Sequence, residues 1–215
     1  MPVSGSKDGK TLPENVPEED RFRHAEGPKR SERAHEAVLE AAQAVLGEVG
    51  YQKASIERIA KRAGVGKQTI YRWWPSRAAL FMEVYSTLAE QHVKPPESDS
   101  VGDALNQLWK QLCIFYRDTA AGPALAGLLA EAQSDHRVAE TFRGEFLVKR
   151  RGVTLELLQR AVANGTVRAD ADLEKTVDLL AGAVWYRLLV DGTAPADDQV
   201  EEIVDQVLRG VSESD

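Results

Sequence analysis

One cysteine, Cys113, is all the chain has, which excludes an internal disulfide framework and suits a reducing compartment. The four histidines, His24, His35, His92 and His136, are scattered without paired helical spacing, so they form no recognisable metal-ligand set. A glycine-rich phosphate cradle and a nucleophile motif are both missing, and neither catalysis nor a metal or other cofactor is expected. Long apolar runs are missing too. The most apolar stretch, residues 177–190, is too short to span a bilayer and contains Asp178 and Arg187. Residues 1–27 are polar and do not pair a basic start with an apolar run, as a secretory leader does. These absences point to a cytoplasmic protein with no membrane partner. Alternating strand patterns and internal repeats are also absent.

What is present is helical periodicity and an uneven spread of charge. The net charge is −7, yet residues 28–82 hold ten Lys/Arg against five Asp/Glu, while from Glu83 onward thirteen face twenty-three. A local basic patch attracts phosphates even on an acidic protein, because salt confines such interactions to about 8 Å. The two parts are expected to meet different partners.

Residues 1–27 read as a disordered N-terminal arm. A first helix is expected from Pro28, carrying Val38, Ala41, Ala42, Val45, Leu46 and Val49 at helical spacing and stopping at Gly50. A short second helix follows the cap Ser55 and breaks at Gly64, and a third runs from about Lys67 to Trp73, before Pro75. Two short helices around a glycine turn, braced by a third, match a helix-turn-helix head over residues 28–75. Ser76 then caps a fourth helix, and everything beyond reads as helical, with a break expected at Gly144 or Gly152. The fold expected is all-α, about nine helices, with the head joined by the fourth helix to a ligand-binding and dimerisation bundle over residues 76–215.

In the head, Ile59, Ala60, Val65, Ile70 and Trp74 are expected inside. That leaves Lys67, Gln68, Thr69, Tyr71 and Arg72 outside on the third helix, a set able to donate to phosphates and read base edges. Lys29, Arg30 and Arg33 are placed to reach flanking phosphates or the minor groove. A basic head making protein contacts, on a helical ligand- or partner-binding protein, is the alternative at this point.

The stretch ERIAKRAGVGKQTIYRWWPSRAAL, with the pairs Gly50-Tyr51, Ile59-Ala60 and Ile70-Tyr71, resembles the signature of the tetracycline-repressor-like (TetR/AcrR-type) regulators. The resemblance implies a homodimer on a palindromic double-stranded DNA operator, usually repressing, and released when a small-molecule effector enters the C-terminal domain. It also implies phosphate contacts from Ser55, Thr69, Tyr71, Trp73 and Arg77, and base or groove-edge contacts from Lys67, Gln68 and Arg72. Gly66 departs from the serine common at the start of the third helix, Trp73-Trp74 from the usual Tyr/His-Phe pair, and Arg77 from a common lysine. Further on, ANGTVRADADLEKTVDLLAGAVWYRLLVDG is similar to a C-terminal domain common in that family.

One head buries too little duplex for selectivity, so a two-fold dimer is expected. Its candidate interface is the last two helices, through Val177, Leu180, Ala181, Val184 and Leu188 on one and Val200, Ile203, Val204 and Val207 on the other. Trp109, Cys113, Tyr116, Phe142 and Phe146 are the candidates for an effector pocket. Few carboxylates interrupt the apolar faces, which favours a neutral or hydrophobic effector.

Overall fold

The first helix, α1 (Glu18–Lys53), buries Val38, Ala41, Ala42, Val45 and Leu46 along one stripe and is bent at Gly50. There φ is 72° and ψ 167°, a backbone state that a side chain would strain. The structure is a computed structural model that describes the backbone of residues 18–212 and the side chains of residues 31–212. The chain divides into two units, Met1–Ala37 and Val38–Asp215, and the hydrophobic core lies in the second. α1 starts ahead of the expected Pro28; the preceding run EEDRFRHAE consists largely of good helix formers. The remainder of the expected disordered arm, residues 1–17, lies outside the described residues.

The other helices are α2 (Ile56–Ala63), α3 (Lys67–Trp73), α4 (Arg77–His92), α5 (Val101–Asp118), α6 (Ala121–Ala132), α7 (His136–Thr141), α8 (Val148–Ala163), α9 (Leu173–Tyr186) and α10 (Asp197–Arg209). α7 passes through a π turn, Phe142–Leu147, directly into α8, and α9 ends in a second π turn, Arg187–Asp191. With α7 and α8 taken as one rod, nine helices stand among the described residues. The break expected at Gly144 or Gly152 is this π turn, which contains Gly144, while Gly152 is ordinary α-helix. Among the described residues the only ladder contact is an isolated antiparallel bridge, Val167–Ser212.

Caps set the phases of these helices. The Ser76, Ser100 and Asp172 side chains accept from the N–H groups of Ala79 (3.0 Å), Asp103 (3.4 Å) and Lys175 (3.1 Å), each satisfying a donor that the helix leaves open. α4 packs chiefly on α6, while α5 lies against α6, α8 and α10, and α9 against α8 and α10. Phe81, Tyr85, Leu105, Phe115, Leu125, Leu128 and Leu158 fill the centre. No helix among the described residues is long and apolar enough to cross a membrane.

Candidate nucleic-acid interface and internal cavity

The turn between α2 and α3 is built by backbone geometry. Ser55 caps α2 by accepting from the Arg58 N–H at 3.4 Å. Gly64 takes the left-handed conformation (φ 68°, ψ 27°), and its N–H returns to the Ala60 carbonyl. Val65 N–H donates to that carbonyl as well, at 3.1 Å. Ile59, Ala60, Ile70 and Trp74 are buried as expected. Val65 is only half-buried, at the margin of the core, because it sits in the turn itself. The Trp74 indole donates to the Glu83 carboxylate at 2.7 Å, fastening the end of α3 to α4.

Lys67, Gln68, Tyr71 and Arg72 all stand exposed on α3, with Ser55, Thr69 and Trp73 half-buried at its margin. The Arg72 guanidinium lies 5.2 Å over the Trp73 ring, which meets Trp74 edge-on at 5.6 Å. Lys67 is held by Glu57 at 3.0 Å, and Arg62 donates to both Glu48 oxygens at 2.7 Å. The Glu57 carboxyl is kept below its usual range by its own backbone N–H first, and then by Lys67. Exposed pairs of this kind are weak, so a phosphate can displace them. The side chains of Lys29 and Arg30 lie outside the described residues.

Arg77 departs from expectation. Instead of facing outward to phosphate it turns in, donating to the Tyr51 carbonyl at 2.9 Å and to the Glu131 carboxylate, with its guanidinium 4.4 Å over the Tyr51 ring. The Tyr51 hydroxyl donates to the same Glu131 oxygen at 2.9 Å. Burial first, and Glu131 second, push the Tyr51 hydroxyl above its usual range. The carboxylate that draws Arg77 inward comes from α6, far along the chain, where no local pattern pairs the two.

Behind α4 lies a cavity of about 340 Å³. α4 contributes Tyr85; α5 contributes Trp109, Leu112 and Tyr116; the α8 side contributes Leu147, Arg150, Arg151 and Thr154; α9 contributes Val177, Asp178, Ala181, Gly182 and Trp185. The hydroxyls of Tyr85 and Tyr116 bond each other at 2.9 Å, and burial pushes both above their usual range. Arg151 is neutralised by Glu174 and Asp178. Of the expected lining, Trp109 and Tyr116 face this cavity and Cys113, Phe142 and Phe146 do not. Cys113 is fully buried core, its thiol pushed up to about 12 chiefly by burial. Phe142 and Phe146 stack on each other at 5.1 Å, and Phe146 meets Tyr85 edge-on at 4.9 Å, one layer behind the wall. Arg150 went unforeseen because KRR at positions 149–151 looks like a solvated charge run.

The expected dimer face is also corrected. Val177, Leu180, Val184, Leu188, Val200 and Val204 are buried within the chain, and Ala181 lines the cavity. Ile203 and Val207 are half-buried. The apolar stripe that α9 leaves outside is Leu179, Ala183, Tyr186 and Val190, with Leu179 61% exposed and Tyr186 and Val190 64%. α9 is apolar on two faces, so periodicity alone picked the one its own core uses. Leu179 and Ala183 share a groove with Ile203 and Val207.

Residues 38–84 match the family described as "Bacterial regulatory proteins, tetR family", and residues 95–207 match "Tetracyclin repressor-like, C-terminal domain". The chain is 32% identical to the uncharacterized HTH-type transcriptional regulator YdeS of Bacillus subtilis (strain 168), across 86% of this chain and 93% of that one. It is 32% identical to the crystal structure of the TetR family transcription regulator SCO0332, with a TM-score of 0.71 over 84% of this chain and 99% of that chain. The fold is shared with the transcriptional regulator FadR from Bacillus subtilis in complex with stearoyl-CoA, at 18% identity and a TM-score of 0.62 over 81% of this chain and 98% of that one. A helix-turn-helix with an exposed basic face, in a chain matched along both parts, sets aside the alternative of a head that serves protein contacts. The chain belongs to the TetR family of helix-turn-helix transcriptional regulators, which bind DNA and are not enzymes.

Proposed function

We propose that the chain is a cytoplasmic repressor, binding an inverted-repeat operator as a homodimer and released by a small molecule in the α5–α8–α9 cavity. One observation carries this reading: α4 starts at Arg77, fastened beneath the head, and about two turns on its Tyr85 forms a wall of the cavity. A ligand against Tyr85 therefore pushes on the helix that holds α3. It must favour the spacing of the two α3 helices that misses the operator, since equal affinity for both states shifts nothing.

In this reading Lys67, Gln68 and Arg72 meet base edges, while Ser55, Thr69, Tyr71 and Trp73 hold phosphates. Lys29 and Arg30 reach flanking phosphates. Leu179, Ala183, Tyr186 and Val190, with Ile203 and Val207, form the two-fold interface, since solvent-facing apolar stripes of this kind mark interaction surfaces. The stearoyl-CoA complex of FadR supports the fold's capacity to hold a small molecule.

The test is selection of genomic fragments by the purified chain at physiological salt, with a salt titration of the best fragment. The expected result is one inverted repeat whose affinity falls steeply with salt as counterions are released. A folded, dimeric protein that enriches no sequence overturns the proposal.

A further inference from the structure

The cavity wall holds hydrogen-bond donors without acceptors. Arg150 Nε and Nη2 and Trp109 Nε1 are buried with no partner among the described residues. The other charged groups of the lining are matched, Arg151 with Asp178 and with Glu174, and the neutral Tyr85 and Tyr116 hydroxyls bond each other. The one buried, unpartnered side-chain acceptor among the described residues, Asn106 Oδ1, is not part of this lining. A guanidinium stays charged at any pH the fold survives, and although Arg150 as a whole is only half-buried, two of its N–H groups shut away from water without an acceptor are unfavourable. The rings of Tyr85 and Phe146, 5.5 and 5.9 Å from the Arg150 guanidinium carbon, offer only partial compensation.

Nε and Nη2 form the side edge of a guanidinium, whose two parallel N–H bonds match the two oxygens of a carboxylate. The rest of the wall is apolar, with Leu112, Leu147, Val177 and Trp185 facing the space. Its volume of about 340 Å³ lies near the low end of the roughly 300–1,000 Å³ found for small-molecule pockets. We infer that the cavity binds a small organic anion, a carboxylate on an apolar body, gripped by Arg150 with Trp109 as second donor. This keeps the apolar character of the neutral or hydrophobic effector expected from the sequence and adds a negative charge to it, and it rests on the reading of this cavity as the effector site.

The experiment measures direct binding to the full chain without DNA, by calorimetry and thermal shift. The probes are matched pairs of acid and amide: benzoate and benzamide, indole-3-acetate and indole-3-acetamide, octanoate and octanamide. In at least one pair the acid should bind about tenfold to a hundredfold more tightly than its amide, as expected for charge-assisted hydrogen bonds. Arg150→Met, checked for folding by circular dichroism, should erase that preference. Arg150→Lys should keep the sign and lose most of the magnitude, because an ammonium lacks the forked edge. No acid binding in any pair, equal binding of acid and amide, or an acid preference that survives in Arg150→Met overturns the inference; the comparison of acid and amide on the unmodified chain stands even if a variant fails to fold. Operator release is read separately. An acid that binds through Arg150 yet leaves DNA affinity unchanged sustains the anion site and removes its role as effector site.

Discussion

The Tyr51 hydroxyl donates to the Glu131 carboxylate at 2.9 Å, and this one contact ties the corner where α1 meets α2 to α6. Arg77 binds the same carboxylate from α4, so three helices converge on a single side chain. Arg77 and Glu131 are 25% and 24% exposed, so the pair is screened less than an ion pair on the open surface. Glu131→Ala should cost about 1–3 kcal/mol by leaving the guanidinium and hydroxyl unmatched, lowering Tm by about 2–10 °C. Urea unfolding of this variant beside the surface control Glu156→Gln checks it, and equal midpoints would remove the contact from the stability account.

Gly127 makes room for that corner. A Cβ there would fall 2.0 Å from the Tyr51 Cγ, and a buried ring against a helix backbone cannot yield that far. Gly127→Ala should therefore destabilise by about 1–3 kcal/mol or more, and the double variant with Tyr51→Ala should recover part of the loss. A thermal denaturation cycle over the four proteins measures the coupling.

Alkali should weaken the fold. The ordinary values are 10.0 for the Tyr51 hydroxyl and 9.0 for the Cys113 thiol, and in the folded chain Tyr51 lies above its value while Cys113 is pushed up to about 12. Above those ordinary values the unfolded chain has released protons that the folded chain still holds. The stability from these groups is thus fully present below about pH 9 and is lost as pH rises. Urea midpoints at pH 7, 9 and 10.5 should fall in that order, and Tyr51→Phe should flatten the decline. The Cys113 thiol should resist a disulfide reagent at pH 8 until the chain is unfolded.

On DNA, Tyr71→Phe should weaken binding alike on specific and scrambled sequences, whereas Gln68→Ala should relax preference at one base pair. Glu57→Gln releases Lys67 and removes a negative charge beside the binding face, so affinity should rise about twofold to fivefold with a steeper salt dependence. Fluorescence anisotropy across a salt series tests all three. A reader's role for Gln68 is lost if its variant discriminates bases as well as the parent.

Association should follow the outer stripe of α9. Leu179→Glu and Tyr186→Glu put charge where 61% and 64% exposed apolar side chains stand and should shift the chain to monomer in sedimentation at micromolar concentration, with operator affinity falling at least tenfold. Leu180→Glu is the contrast. Leu180 is 1% exposed, so this variant should unfold the chain instead of splitting a dimer.

The head was legible in the sequence because its rules are local. Gly64 fixes a left-handed turn, Ser55 and Ser76 cap the next helices, and Pro75 ends α3. Arg77 was misread because its partner Glu131 is set by packing and not by spacing. The α9 stripes were exchanged for a different reason: with both faces apolar, only the position of α8 and α10 decides which one is covered. Arg150 escaped notice because its burial depends on the phase that the π turn gives to α8, and no composition rule encodes that phase.

A π turn holds one residue more than α-helical winding over the same rise. Phe142–Leu147 therefore has the form of a single-codon insertion absorbed in place, with α7 and α8 each keeping the side they already presented. Had the extra residue been wound into ordinary helix, everything downstream would have turned by about 100°, and Lys149 or Arg151 would occupy the position of Arg150. Descent can thus lengthen or shorten the rod here without disturbing the cavity wall. Related chains that differ by one residue in this stretch can be aligned through it with the wall positions conserved.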